Sequence, residues 1–140
     1  PSLLRQLALA RDVSGVEYQQ AMFDRAALFR RVQAMFRDAA LLVTPTLSRA
    51  APPIGQDLFG GLEIDGRRYG DLRGNWFPWT MPFNLTGHPA ISLPCGFTAE
   101  GLPLGVQFVG RMRGESELLR AAALFERASP WAAPWPEEAA

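Results

Sequence analysis

The stretch Thr80–Gly110, TMPFNLTGHPAISLPCGFTAEGLPLGVQFVG, decides the fold. Trp79 to Leu85 has room for about two helical turns, which Gly87 and Pro89 must end, because glycine reaches the left-handed region and proline cannot continue a helix. Ala90 to Phe97 and Leu104 to Val109 then read as strands, and Thr98-Ala99-Glu100-Gly101 between them reads as a hairpin connection.

On the C-terminal side, Glu115 to Ala128 forms a helix with Leu118, Ala122 and Phe125 on one face. Trp131, Pro134 and Trp135 break that periodicity and read as a terminal flap. On the other side lies a proline- and glycine-rich segment, residues 47–79. Within it the Asp65-Gly66 pair separates two short runs and marks a hairpin turn. Loops this long inside a compact domain are commonly functional or cover a larger body. Before it, Leu41-Leu42-Val43-Thr44-Pro45-Thr46 reads as a short buried strand ending at Pro45. A helical stripe of Met22, Ala26, Phe29, Val32, Phe36 and Ala40 spans Val16 to Leu42 and leads into that strand. Its start, Ser14-Gly15-Val16-Glu17, fits a capping box. A shorter helix through Leu3, Leu4 and Leu7 precedes it. Helix delivering into strand, then helix, hairpin and helix, implies α/β architecture.

Composition narrows the function. The 140 residues suffice for one core rather than two, and 48% of them are hydrophobic, a globular proportion. Fourteen arginines balance fourteen acids, so no electrostatic footprint for nucleic acid or an anionic membrane is present. The absence of lysine removes any mechanism that needs a lysine amine supplied by this chain. Cys95 and His88 are the sole residues of their types, so the chain can build neither a disulfide nor a zinc cluster, and the cysteine usage points to a cytoplasmic setting. No apolar run approaches the length of a membrane span.

Few residues announce chemistry. Asn84, His88 and Ser92 are spaced like neighbours on one helix face, but Gly87 and Pro89 interrupt any such helix. Neither a nucleophile elbow nor a phosphate-binding loop is present. His88 therefore reads as a structural residue, Cys95 as a small core residue, and Asn84-Leu85-Thr86 as a sequon without consequence. The aromatics Trp76, Phe77, Trp79 and Phe83 are crowded into eight residues, either as a core cluster or as the wall of an apolar pocket.

The run from Thr80 to Gly110 resembles the C-terminal part of the amidase-signature family, serine hydrolases and amidotransferases that cleave carboxamides. The order around it fits as well: a helix ending in LLVTPT, a long variable segment, this run, then a helix beginning near GESELLRAAALFE. The resemblance covers about residues 15–128. It implies an α/β/α layered fold around a mixed sheet, with residues 1–140 as a C-terminal fragment of it. The family's nucleophilic serine, its second serine and its lysine base all precede the matched region, so no catalytic residue is expected in this chain, and no cofactor or metal is implied. The remainder of the amidase domain is then the expected partner of this chain, and the fragment alone is expected to be inactive.

The resemblance places substrate-contacting positions three before and one after the Thr of T-x-P-x-N, which here are Phe77 and Met81; Trp76 and Trp79 are added as further lining. In the tRNA-dependent amidotransferase A subunit the position matching Phe77 is an Asp that holds the amino group of glutamine, and a phenyl ring cannot replace that charge. The reading is thus the pocket-forming end of an amidase acting on small apolar or aromatic carboxamides. Its alternatives are an amidotransferase A subunit and a non-catalytic binding module that keeps the scaffold. A fragment cut from a larger sheet also exposes a strand edge and apolar helix faces, which leaves a homo-oligomer as a further partner.

Overall fold

The computed structural model describes residues 2–64 and 66–130. Two helices, α1 (Ser2–Ala10) and α2 (Gly15–Met35), lead to strand β1 (Leu42–Pro45). The hairpin β2 (Gly61–Ile64) and β3 (Arg67–Asp71) and the short helices α3 (Leu72–Trp76) and α4 (Met81–Thr86) follow. The chain then forms β4 (Ala90–Phe97), β5 (Pro103–Val109) and α5 (Glu115–Ala128).

The capping box opens α2 as the sequence implies: Glu17 N–H donates to Ser14 Oγ at 3.2 Å, and Ser14 N–H donates to Glu17 Oε2 at 2.8 Å. The bond from the Ser14 backbone N–H holds the Glu17 carboxyl below its usual range. The helix ends earlier than the stripe suggests. Phe36 caps it, and Ala40 lies exposed outside it. The cause is tertiary: Phe36 is buried in a cluster with Val32, Phe83 and Val109, and the chain must turn after it to bring Leu42 into register with Val109. The N-terminal half of α2 stays exposed, including Val16, Tyr18 and Phe23.

The main sheet has three strands in the order β1-β5-β4, all antiparallel, so the portion of sheet carried here is of one kind. A second, two-stranded sheet is the β2–β3 hairpin, with Gly66 in the left-handed region at φ +72°. Asp65 of that turn lies outside the described residues, as do Trp131, Pro134 and Trp135 of the tail.

Helices cover both faces of the main sheet. On one face Val32 and Phe36 of α2 and Phe83 of α4 pack with Val109, with Leu28 and Leu42 at the margin. On the other, Leu118 and Ala122 of α5 pack with Leu93 and Phe108, flanked by Ile91, Val106 and Phe125. Phe108 and Phe125 meet edge to face at 5.3 Å between ring centroids. The fold class is therefore α/β, with an α/β/α layering around the strands.

Two expectations fail locally. The strand β1 is not fully buried, since Val43 is 58% exposed. Cys95 is exposed rather than in the core. It is the extra residue of a β-bulge, because Pro94 pairs with Gly105 and Gly96 pairs with Leu104, leaving Cys95 without a partner across the ladder.

Gly105 in the central strand has a steric reason. Thr46 Oγ1 and Ser92 Oγ are hydrogen-bonded at 2.7 Å across it, and a Cβ there would lie 2.9 Å from each oxygen. Gly105→Ala should break this hydroxyl pair and destabilise the protein by roughly 1–3 kcal/mol, as overpacking usually does. Urea unfolding would show it, and Ser92→Ala in the same chain should restore part of the loss; a wild-type midpoint for Gly105→Ala would refute the contact.

Candidate active-site cavity

The segment between β3 and β4 is built as two short helical pieces joined without a full break. Asp71 caps α3, its Oδ1 accepting from Gly74 N–H at 2.6 Å. At the junction Met81 N–H donates to Phe77 O at 3.1 Å, and Asn84 N–H donates to Thr80 O at 3.1 Å. The helical phase therefore runs on from Phe77 into α4 until Gly87, at φ +74°, ends it.

That phase sorts the side chains. Phe77, Thr80, Met81 and Asn84 are spaced i, i+3, i+4 and i+7, and all four line one cavity of about 480 Å³. Its remaining wall comes from Gln6 and Leu9 of α1, Phe59 of the preceding loop, and Asp71 and Gly74. Phe83 and Thr86 lie on the opposite side and are buried.

The other two lining candidates fall elsewhere. Trp76 lines a second cavity of about 800 Å³ together with Thr46, Ser92, Cys95 and Gly105. Its indole Nε1 is buried with no hydrogen-bond partner among the described residues. Trp79 is 43% exposed and lines neither cavity; it is the Trp79 carbonyl that is engaged, accepting from Gln107 Nε2 at 2.9 Å. The aromatic cluster of the sequence is thus split, with Trp76 and Phe77 in contact at 5.5 Å but facing different spaces.

Three polar side chains hold this segment against the framework. Gln107 is buried in the sheet and donates from Nε2 to Thr44 Oγ1 as well as to the Trp79 carbonyl. Ser48 donates its backbone N–H to the Trp76 carbonyl at 3.3 Å and its hydroxyl to the Asn75 carbonyl. Arg25 of α2 donates from Nε to the Leu85 carbonyl at 2.6 Å, near the C-terminus of α4. Sequence reasoning singled out none of these anchors, because a lone Gln, Ser or Arg on a strand, loop or helix carries no local signal of a long-range carbonyl partner.

Asn84, His88 and Ser92 are not brought together. Asn84 faces the smaller cavity, Ser92 the larger, and His88 is only 5% exposed in the core. His88 stacks on Phe36 at 5.5 Å, and its ring nitrogens lie 2.9 Å from Thr86 Oγ1 and 3.0 Å from Gln33 Oε1. A neutral ring, donating at Nε2 and accepting at Nδ1, satisfies both neighbours. Burial lowers its pKa from the ordinary 6.5.

The chain matches the family model described as Amidase over residues 3–119. It is 41% identical over 100 residues to the 6-aminohexanoate-cyclic-dimer hydrolase of Paenarthrobacter ureafaciens, covering 69% of this chain and 20% of that protein. It is 35% identical over 123 residues to the acylamidase of Rhodococcus erythropolis, covering 88% of this chain and 25% of that protein. The solved structure of a bacterial aryl acylamidase of the amidase-signature family superposes with a TM-score of 0.79 at 29% identity, over 93% of this chain and 26% of that one. The α/β layering and these matches place the chain in the amidase-signature family. It spans about a fifth to a quarter of the length of these curated relatives. Among the described residues no helix is long and apolar enough to cross a membrane.

The lowered pKa of His88 has a sign. Because the unfolded chain binds the proton more readily, the stabilisation from the neutral ring is present above pH 6.5 and is lost as pH falls through 6.5 toward the lower folded value. Thermal melts at a series of pH values should show this loss in the wild-type protein and a flatter profile over the same window in His88→Gln; parallel profiles would refute it.

Proposed function

We propose that this chain is the C-terminal, pocket-forming part of an amidase that hydrolyses small apolar or aromatic carboxamides. One observation carries the reading: Phe77, Thr80, Met81 and Asn84 form a single helical face on the 480 Å³ cavity, and two of them, Phe77 and Met81, are the positions where the family resemblance expects the acyl part of the substrate. Phe59 and Leu9 continue its apolar wall. Family membership, and relatives named as an acylamidase and a cyclic-dimer hydrolase, support amide hydrolysis as the reaction.

The chemistry belongs to residues outside this chain. A Ser-Ser-Lys site needs a lysine, and the 140 residues contain none. In the proposed parent, the lysine acts through the bridging serine to deprotonate the nucleophilic serine, which attacks the amide carbonyl; the C–N bond breaks as the amine leaves with a proton, and water then hydrolyses the acyl ester to release the acid. The role of this chain is then to hold the acyl group so that its carbonyl meets the nucleophile, with apolar walls that favour substrates able to shed water there. Alone, the fragment does not turn over amides.

Phe77→Asp in the complete enzyme tests the assignment. A carboxylate in place of the ring should lower kcat/KM for an apolar amide by roughly ten- to a hundredfold, the loss expected from removing one large apolar contact. Phe77 is only partly buried at the end of α3, so the melting temperature should change little. Unchanged turnover would sink the pocket assignment.

A further inference from the structure

The three anchors of residues 75–85 are not equivalent. Ser48 grips the Asn75 and Trp76 carbonyls, ahead of Phe77, and Arg25 grips the Leu85 carbonyl, beyond Asn84. Of the three, Gln107 alone acts between Phe77 and Met81, where its Nε2 donates to the Trp79 carbonyl at 2.9 Å. That carbonyl sits at the joint of the two helical pieces. Phe77 O accepts from the N–H groups of Thr80 and Met81, and Thr80 O from that of Asn84, while the donor to Trp79 O is a side chain. Gln107 therefore closes the joint where the helical ladder is interrupted. Since a carbonyl only accepts, the atom facing it is the amide nitrogen, whose second N–H goes to Thr44 Oγ1 at 2.9 Å.

An amide at this place costs more to bury than an apolar side chain would. Gln107 is nevertheless 5% exposed, in the central strand of the sheet. Thr44 of β1 and Ser92 of β4 pair with it from either side, so its backbone position is fixed by both neighbouring strands. A strand held in this way places a side chain more precisely than a loop does. Gln107 itself does not line the 480 Å³ cavity, whereas Phe77, Thr80 and Met81, on both sides of the carbonyl it holds, do.

We infer that Gln107 is a positioning residue: by fixing the joint at Trp79 it sets the placement of Phe77 relative to Met81, and so tunes the pocket for the size of the acyl group without touching it. This rests on the reading of the cavity as the acyl pocket. A large acyl group meets both residues at once and is sensitive to their separation; an acetyl group is too small to reach both. Gln107 takes no part in bond breaking, and its effect passes through the main chain of residues 77–81.

The test compares two substrates of the complete enzyme, the para-nitroanilides of phenylacetic and acetic acid, which release the same amine. Gln107→Met keeps the length of the side chain and removes both donors. It should lower kcat/KM for the phenylacetyl substrate relative to the acetyl one roughly tenfold, as small misplacements of a binding group do. The loss should fall on KM, because the misplaced residues hold a part of the substrate that does not react. Gln107→Glu, an isostere that offers at most one proton to the two acceptors, should shift the ratio the same way, and carries the test if the methionine variant does not fold. Gly105→Ala controls for stability: its added Cβ meets Thr46 and Ser92 rather than the Trp79 carbonyl, so it should lower the melting temperature and keep the ratio. An unchanged ratio in the Gln107 variants overturns the inference. So does an equal fall in kcat for both substrates, or the same shift in Gly105→Ala. If Phe77→Asp still depresses turnover in that case, the pocket reading survives and only the role of Gln107 falls; if neither position has an effect, both fall.

Discussion

The alternation of side chains along β5 is the constraint on which the other layers depend. Val106 and Phe108 point to the α5 side, while Gln107 and Val109 point to the side of α2 and α4. With β1 and β4 paired on its two edges, β5 cannot shift by one residue without exchanging the two faces, and Gln107 would then enter an apolar cluster. Val109, fully buried, anchors one core, and Phe108 anchors the other.

The same strand reaches the candidate site through Gln107. Its amide is buried, so its hydrogen bonds must be made, and they go to Thr44 and to the Trp79 carbonyl. Together with Ser48 and Arg25, Gln107 catches backbone carbonyls rather than side chains along residues 75–85. This leaves Phe77, Thr80, Met81 and Asn84 free to face the cavity, while Phe83 is buried in the core on the opposite side. Because these anchors hold main-chain carbonyls, they are indifferent to which residue occupies position 77 or 81.

Much of the fold was legible because its signals are local. The capping box at Ser14, the stop at Gly87, the strand pair and the limits of α5 all follow from residue types a few positions apart. The misreadings share a cause in long-range packing. The burial of Phe36 stopped α2 before its apolar stripe ran out, and a bulge turned Cys95 outward although its flanks look like core. In the candidate site, the spacing of Phe77 and Met81 was readable as one helical face. The divergence of Trp76 and Trp79 was not, because it depends on where the sheet lies beneath them.

The two contacts from Ser48 to Asn75 and Trp76 have an evolutionary reading. They close residues 49–74 into a loop whose ends are fixed on the framework. Since closing a longer loop adds little entropic cost, this segment can lengthen, shorten or be exchanged while the strand register stays put. It contributes Phe59, Asp71 and Gly74 to the cavity, whereas Phe77, Thr80, Met81 and Asn84 lie beyond its closure. One wall is thus a replaceable cassette and the other a fixed template, so a lineage can diversify what enters the cavity by recombination in a single stretch of gene.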